Sequence, residues 1–152
     1  MKKVVYIQSK EVQDKLNVLL SDYQIHYQNL RAFHWLVKGP MFYQLHARFE
    51  EFYNEAAETV DELAERILMT GGKPLHSFED YLKTAVLKPH KNLTKATDIL
   101  PVVVSENEHL LASARELLNV ASEGGDEGTV ALASELISGL EKKLWMLNSL
   151  VE

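Results

Sequence analysis

His46, Glu50, Asp61 and Glu65 are the side chains of this sequence best suited to hold a metal ion, and their spacing sets them on one stripe. On a helix that turns roughly 100° per residue, with His46 as origin, Glu50 lies at about 40°, Asp61 at about 60° and Glu65 at about 100°. Phe49, Tyr53, Ala57, Val60, Ala64 and Leu68 run beside them, which reads as a core-type face. Ionisable groups buried on such a face are costly unless they are paired or bind a metal. A lone His or Glu there is ordinarily a satisfied bundle residue; the metal reading rests on two i,i+4 pairs recurring in phase. His34 stands just across the Gly39-Pro40 turn, within reach of the upper end of the stripe. The chain has no cysteine, so thiolate zinc sites, iron–sulfur clusters, thiol nucleophiles and disulfides are excluded, and His, Asp and Glu are the available ligands.

Glu50 and Asp61 are 11 positions apart in the sequence, about 16 Å along a helix axis. Carboxylate and imidazole ligands reach a metal at only about 2.0–2.6 Å, so one helix cannot gather both pairs around one ion. Two copies packed antiparallel about a two-fold axis would bring His46 and Glu50 of one against Asp61 and Glu65 of the other. Ala56-Ala57 stand near the midpoint, where small residues let helices approach closely. Such an isologous dimer carries two equivalent sites.

The elements that must position these groups are helical. Leu16, Leu19, Leu20, Tyr23, Tyr27, Leu30 and Phe33 recur at helical spacing and predict a helix from about Glu11 to Val37, broken by Gly39-Pro40. A second helix is expected from Met41 to Thr70, stopped by Gly71-Gly72. Ser77 can cap a short helix through Thr84, and a loop follows around Pro89. A third long helix is expected from Thr97-Asp98 to Ser122, with Pro101 in its first turn. A fourth follows Gly124-Gly125-Asp126-Glu127-Gly128 and carries Leu132, Leu136, Leu140, Leu144 and Leu147. The predicted fold is all-α, one domain over residues 1–152: a four-helix bundle with a short helix in the crossover between helices two and three.

Bulk properties agree with an ordinary globular domain: 152 residues, 46% apolar and 25% charged, with four prolines and seven glycines. The net charge of −6 does not draw nucleic acid or anionic lipid through its overall field. The apolar run after Lys2-Lys3 is too short for a signal-peptide core, and no run approaches the roughly 20 residues of a membrane span. A cytoplasmic location is the expectation.

The run His34-Trp35-Leu36-Val37-Lys38-Gly39-Pro40-Met41-Phe42-Tyr43-Gln44-Leu45-His46-Ala47-Arg48-Phe49-Glu50-Glu51-Phe52-Tyr53 closely resembles the signature of the Dps family, ferritin-like DNA-binding proteins from starved cells. Asp61-Glu62-Leu63-Ala64-Glu65-Arg66 resembles the family's second ligand block, and Leu144-Trp145-Met146-Leu147 its C-terminal pattern. The resemblance implies a dodecameric hollow shell with ferroxidase centres at dimer interfaces, His34 and His46 from one subunit and Asp61 and Glu65 from its mate. Glu50 falls where the family usually supplies a further carboxylate, often Asp. It implies that hydrogen peroxide or oxygen takes electrons from Fe(II) and that ferric mineral collects inside, protecting against oxidative stress; zinc can occupy such ligands too.

Other residues take roles from that comparison. Trp35, beside His34, reads either as an interceptor of oxidising equivalents or as a packed interface aromatic. Glu51, Glu55, Glu58 and Glu62 form a second stripe at about 120–180°, either a lumenal surface for mineral nucleation or a solvated face. Glu123, Asp126 and Glu127 read as a cation channel, Asp126 above all, or as groups complementing a helix dipole. Glu106-Asn107-Glu108-His109 holds a single Glu-x-x-His, an element that bundles with sites inside one subunit use twice, and is read as structural. Two other functions compete: a nucleoid DNA-binding protein, and a helical interaction module. DNA binding is disfavoured, because only Lys2, Lys3 and Lys10 are basic near the N-terminus.

Overall fold

A computed structural model describes residues 7 and 9–151, so the basic Lys2-Lys3 pair lies outside the described residues. The helices are α1 (Lys10–Leu36), α2 (Phe42–Met69), α3 (Phe78–Thr84), α4 (Ala96–Glu123) and α5 (Glu127–Val151). The four long helices form the bundle, and α3 sits in the crossover between α2 and α4, as the sequence predicts. Among the described residues no helix is long and apolar enough to cross a membrane.

Local chemistry sets the ends. The Ser9 hydroxyl caps α1 by accepting from the Val12 N–H at 3.2 Å, and Ser77 caps α3 by accepting from Asp80 N–H at 3.2 Å. Gly71, at φ +79°, adopts the left-handed conformation that closes α2 where glycine is least strained. Pro101 departs from expectation: α4 begins at Ala96, so the proline is in the second turn. Its exposed position lets water satisfy the carbonyl that its missing N–H leaves free.

Packing is uneven around the bundle. α1 packs along α2 and α4, and α4 along α5, whereas α2 and α5 stand apart. Phe33 and Phe49, both buried, face each other with ring centroids 6.2 Å apart toward the turn end of the α1–α2 seam. Leu16, Leu19, Leu20 and Leu30 of α1 complete that seam with Leu45, Leu63 and Ile67 of α2.

Buried polar groups of α1 hold the crossover. Asp22 Oδ1 accepts from the Val86 and Leu87 N–H groups at 2.7 and 2.9 Å, while Oδ2 meets His109 Nε2 at 2.7 Å. Asn29 donates to the Lys88 carbonyl at 3.0 Å and accepts from His90 N–H at 3.0 Å. Its amide also donates to Glu106 at 2.7 Å, and Glu106 accepts from His26 Nδ1 at 2.9 Å. Glu106 and His109 are thus structural, as expected. Asp22→Ala strands two loop N–H groups and the His109 ring, so it is expected to cost about 3 kcal/mol. Denaturant unfolding at fixed protein concentration checks this.

Candidate metal centre

The turn between α1 and α2 builds the first half of the centre. Gly39 turns the chain at φ +115°, a conformation that side chains rarely adopt. Phe42 N–H donates to the Gly39 carbonyl at 3.0 Å, and Lys38 N–H donates to the Thr94 carbonyl at 2.9 Å, tying the turn to the end of the crossover. The last turn of α1 and the first turns of α2 are thereby held side by side, which brings His34 and His46 together.

Their rings stack with centroids 3.8 Å apart and planes 13° from parallel. His34 Nδ1 is 2.7 Å from the His46 carbonyl oxygen, and His46 Nδ1 is 2.8 Å from the His34 carbonyl oxygen. A carbonyl can only accept, so each Nδ1 carries the proton and donates it. In the neutral rings the lone pair is therefore on Nε2, and both Nε2 atoms are ready to ligate. A metal-binding imidazole is ordinarily oriented in this way, by a carbonyl or carboxylate on its other nitrogen. Phe42 stacks on His46 at 5.0 Å, and Tyr53 meets His34 edge-on at 5.4 Å, so neither ring turns freely.

Glu50, one turn further along α2, is exposed, and Tyr53 Oη donates to its Oε1 at 3.4 Å. Partial burial, then the Glu50 carboxylate, raise the Tyr53 phenol above its ordinary pKa. Sequence reasoning missed Tyr53 as a partner of the site. Its position three residues after Glu50 on the same helix is the signal that could have found it.

Asp61 and Glu65 are exposed, and neither makes an ion pair or side-chain hydrogen bond among the described residues. The helix rise keeps them about 16 Å or more from Glu50. Among the described residues no three His, Asp or Glu side chains of one chain gather into a metal-holding group. The chain thus carries two separate half-sets: an oriented imidazole pair with Glu50, and a carboxylate pair.

The stripe faces differently from expectation. The side of α2 that enters the bundle carries Leu45, Phe49, Phe52, Ala56, Leu63 and Ile67, at about 240–300° from His46. Glu50, Ala57, Asp61, Glu65 and Leu68 are exposed on the far side. In a single chain these carboxylates are therefore hydrated, and their burial requires something packed on the outside of α2.

Other residues were also singled out by sequence. Trp35 is 55% exposed, with the Arg31 guanidinium 4.9 Å above its ring. Glu51 pairs with Arg48 and Glu55 with Lys143, each at 2.7 Å. Partial burial, then Glu135, Glu58, Asp61 and Glu65, raise the Glu62 carboxyl above its usual range. Asp126, read from the sequence as a channel residue, is only 2% exposed in the single chain. Its Oδ1 accepts from Arg66 and from the Thr129 N–H, each at 3.1 Å, and its Oδ2 accepts from the Thr129 hydroxyl at 2.6 Å. Both oxygens are thus occupied within the chain, by Arg66 and by the first turn of α5.

Known proteins share this sequence pattern and fold. The Ferritin-like domain family matches residues 13–152. The DNA protection during starvation protein of Porphyromonas gingivalis is 42% identical, over 88% of this chain and 84% of its own. DNA protection during starvation protein 2 of Bacillus anthracis is 35% identical, over 93% and 97%. The crystal structure of a Dps protein from Vibrio cholerae O1, described as a member of a broad superfamily of ferritin-like diiron-carboxylate proteins, superposes with a TM-score of 0.92 at 38% identity, covering 99% of this chain and 100% of that one. A Dps protein from Bacillus brevis gives 0.92 at 36% identity, covering all of both chains. An oriented histidine pair at the α1–α2 turn and a carboxylate pair further along α2, on a bundle that superposes end to end on these proteins, place the chain in the Dps family of ferritin-like proteins.

Proposed function

We propose that this protein oxidises Fe(II) with hydrogen peroxide or oxygen at sites shared between two subunits and stores the ferric product inside a dodecameric shell. The observation that carries this reading is the reciprocal pairing of His34 and His46, which presents two Nε2 lone pairs while the nearest unpaired carboxylates of the same helix stay beyond reach. A second copy packed on the outside of α2 supplies Asp61 and Glu65. Exposed apolar side chains support such a partner: Trp35, Tyr43, Leu68, Phe78, Leu82 and Val86 are all more than half exposed in the single chain.

The ligand chemistry suits iron. Imidazole nitrogen and carboxylate oxygen bind Fe(II), and the harder carboxylates favour Fe(III) more, so the site pulls the metal toward its oxidised state. Peroxide accepts two electrons, one from each of two Fe(II) ions; its O–O bond breaks and two protons complete two waters. His34, His46, Asp61 and Glu65 hold the ion, and Glu50, steadied by Tyr53, offers a carboxylate to a second. Glu58 and Glu62, which lack basic partners among the described residues, leave negative charge on the acidic stripe for ferric nucleation. Zinc is expected to compete for the same ligands. Trp35 is read as part of the subunit contact, close enough to His34 to take up oxidising equivalents.

The test is native sizing together with iron loading. A particle of about twelve chain masses that accelerates ferric absorbance over buffer when Fe(II) and peroxide are mixed is the expected result. A monomer, or no acceleration, overturns the proposal and leaves a helical interaction module as the better reading.

A further inference from the structure

Arg31 is a half-buried cation beside the metal centre, one helical turn before His34 on the same face of α1. Its guanidinium stands 5.3 Å from the centroid of the Tyr27 ring and 4.9 Å from that of Trp35. Two aromatic faces thus hold the charge in place. Arg48, Arg66 and Arg115 each pair with a carboxylate. Arg31 pairs with none among the described residues, and its one side-chain hydrogen bond there is to Gln28 Oε1 at 3.5 Å. Asp61 and Glu65 are the converse case: exposed carboxylates on the outside of α2, without a basic partner among the described residues.

Helix geometry brings these unpaired charges to one place. Tyr27 meets Tyr53 edge-on at 5.9 Å and His34 stacks on His46, so Arg31, between them on α1, stands level with Glu50. In a two-fold dimer whose axis passes Ala56-Ala57, Glu50 is level with Leu63 of the partner subunit. The partner's Asp61 and the partner's Glu65 then lie on either side of that level, each about 3 Å away along the axis. An arginine side chain spans such an offset easily.

Resting on the shared site of the proposed function, we infer that Arg31 holds the partner subunit's Asp61 and the partner subunit's Glu65 when the centre carries no metal. It is a resident counter-charge that an incoming divalent cation must displace. Without it, Glu50 and two carboxylates of the mate would meet in a partly desolvated interface with no positive charge, which is costly. A guanidinium keeps its charge at any working pH, and its fork matches carboxylate oxygens. Arg31 and the metal compete for the same oxygens, so each weakens the other's hold by the same factor.

The test uses the metal-free, full-length protein, with zinc as the probe ion and Arg31→Met, which keeps the length and loses the charge. The thermal midpoint of the metal-free protein at fixed concentration is expected to fall by roughly 3–6 °C. Zinc affinity by calorimetry is expected to rise about tenfold. Opposite signs distinguish a counter-charge from a merely structural arginine, whose loss lowers both. Arg31→Lys keeps the charge and should recover part of each change, and Arg31→Gln is the second neutral variant if Arg31→Met does not assemble. In the Asp61→Asn/Glu65→Gln background, Arg31→Met should no longer move the midpoint. A zinc affinity that does not rise, a midpoint that does not fall, or a shift that persists in that background overturns the inference. The shared site itself still stands in those cases, provided that Asp61→Asn/Glu65→Gln alone weakens zinc binding. If that double variant binds zinc as tightly as the native protein, the shared site fails and the role of Arg31 with it.

Discussion

Two inactive variants of this protein are expected to restore one another. In His34→Ala/His46→Ala each site keeps its carboxylates and loses its imidazoles; in Asp61→Asn/Glu65→Gln the reverse holds. If every site takes one half-set from each chain, either variant alone carries only broken sites. Its initial rate of Fe(II) oxidation should fall on the order of 100-fold, the upper range for removing even the groups that orient metal ligands. A mixed dimer joins the intact imidazoles of one chain to the intact carboxylates of the other, giving one whole site and one empty one. Random co-assembly at equal ratio makes half of the dimers mixed, so about a quarter of the native rate should return. Co-expression or co-refolding is the right format, with preformed shells of the two variants mixed as the control. Failure to complement while both variants keep the native particle size would mean that each site is built within a single chain. A full native rate in either variant would mean that the iron is oxidised elsewhere.

That expectation could be drawn from spacing, because helix rise is a fixed quantity and Glu50 and Asp61 are too far apart for any side chain to compensate. The fold was legible for the same reason. Gly39-Pro40, Gly71-Gly72 and the glycines around Asp126 are local signals, and the apolar residues of α1 recur at helical period. The orientation of the ligands was not legible. Angular spacing shows that four groups share a stripe, but whether that stripe faces the bundle or its outside depends on which other side chains of α2 are swallowed by α1. Leu45, Phe49, Leu63 and Ile67 won that contest, being larger and fully buried.

The tautomers of His34 and His46 also needed tertiary structure, since each is fixed by the other's backbone. Asp22, His26 and Asn29 escaped notice because their partners lie 59–87 residues away in the chain. The signal available was a run of polar residues on the apolar face of α1, at 22, 26 and 29 among Leu19, Leu30 and Phe33. Such residues are buried only when something distant satisfies them.

Asp126 makes the same point at the other end of the bundle, and its substitution should have the second-largest effect. Among Glu123, Asp126 and Glu127 the sequence offers no reason why one carboxylate should be buried. The structure supplies it in Arg66, which reaches across from α2 to hold Asp126 at 3.1 Å and Thr129 at 3.1 Å. The guanidinium lies so close to Gly128 that an added Cβ would stand 2.5 Å from its nitrogen, so no larger residue fits there without displacing it. Asp126→Ala removes the α5 cap and leaves a mostly buried guanidinium and a buried hydroxyl without their acceptor. The expected loss is about 3 kcal/mol, or a thermal midpoint lower by roughly 6–12 °C at fixed protein concentration. Asp126→Asn keeps an oxygen for the cap but not the charge, and should fall between. Glu127→Gln, which alters an exposed side chain, should leave the midpoint unchanged. Iron uptake measured on the same three variants, below any unfolding temperature, separates the two roles: a rate that drops in Asp126→Asn without a shift in midpoint would restore Asp126 to a cation path, whereas a shifted midpoint with normal uptake establishes it as the clasp between α2 and α5.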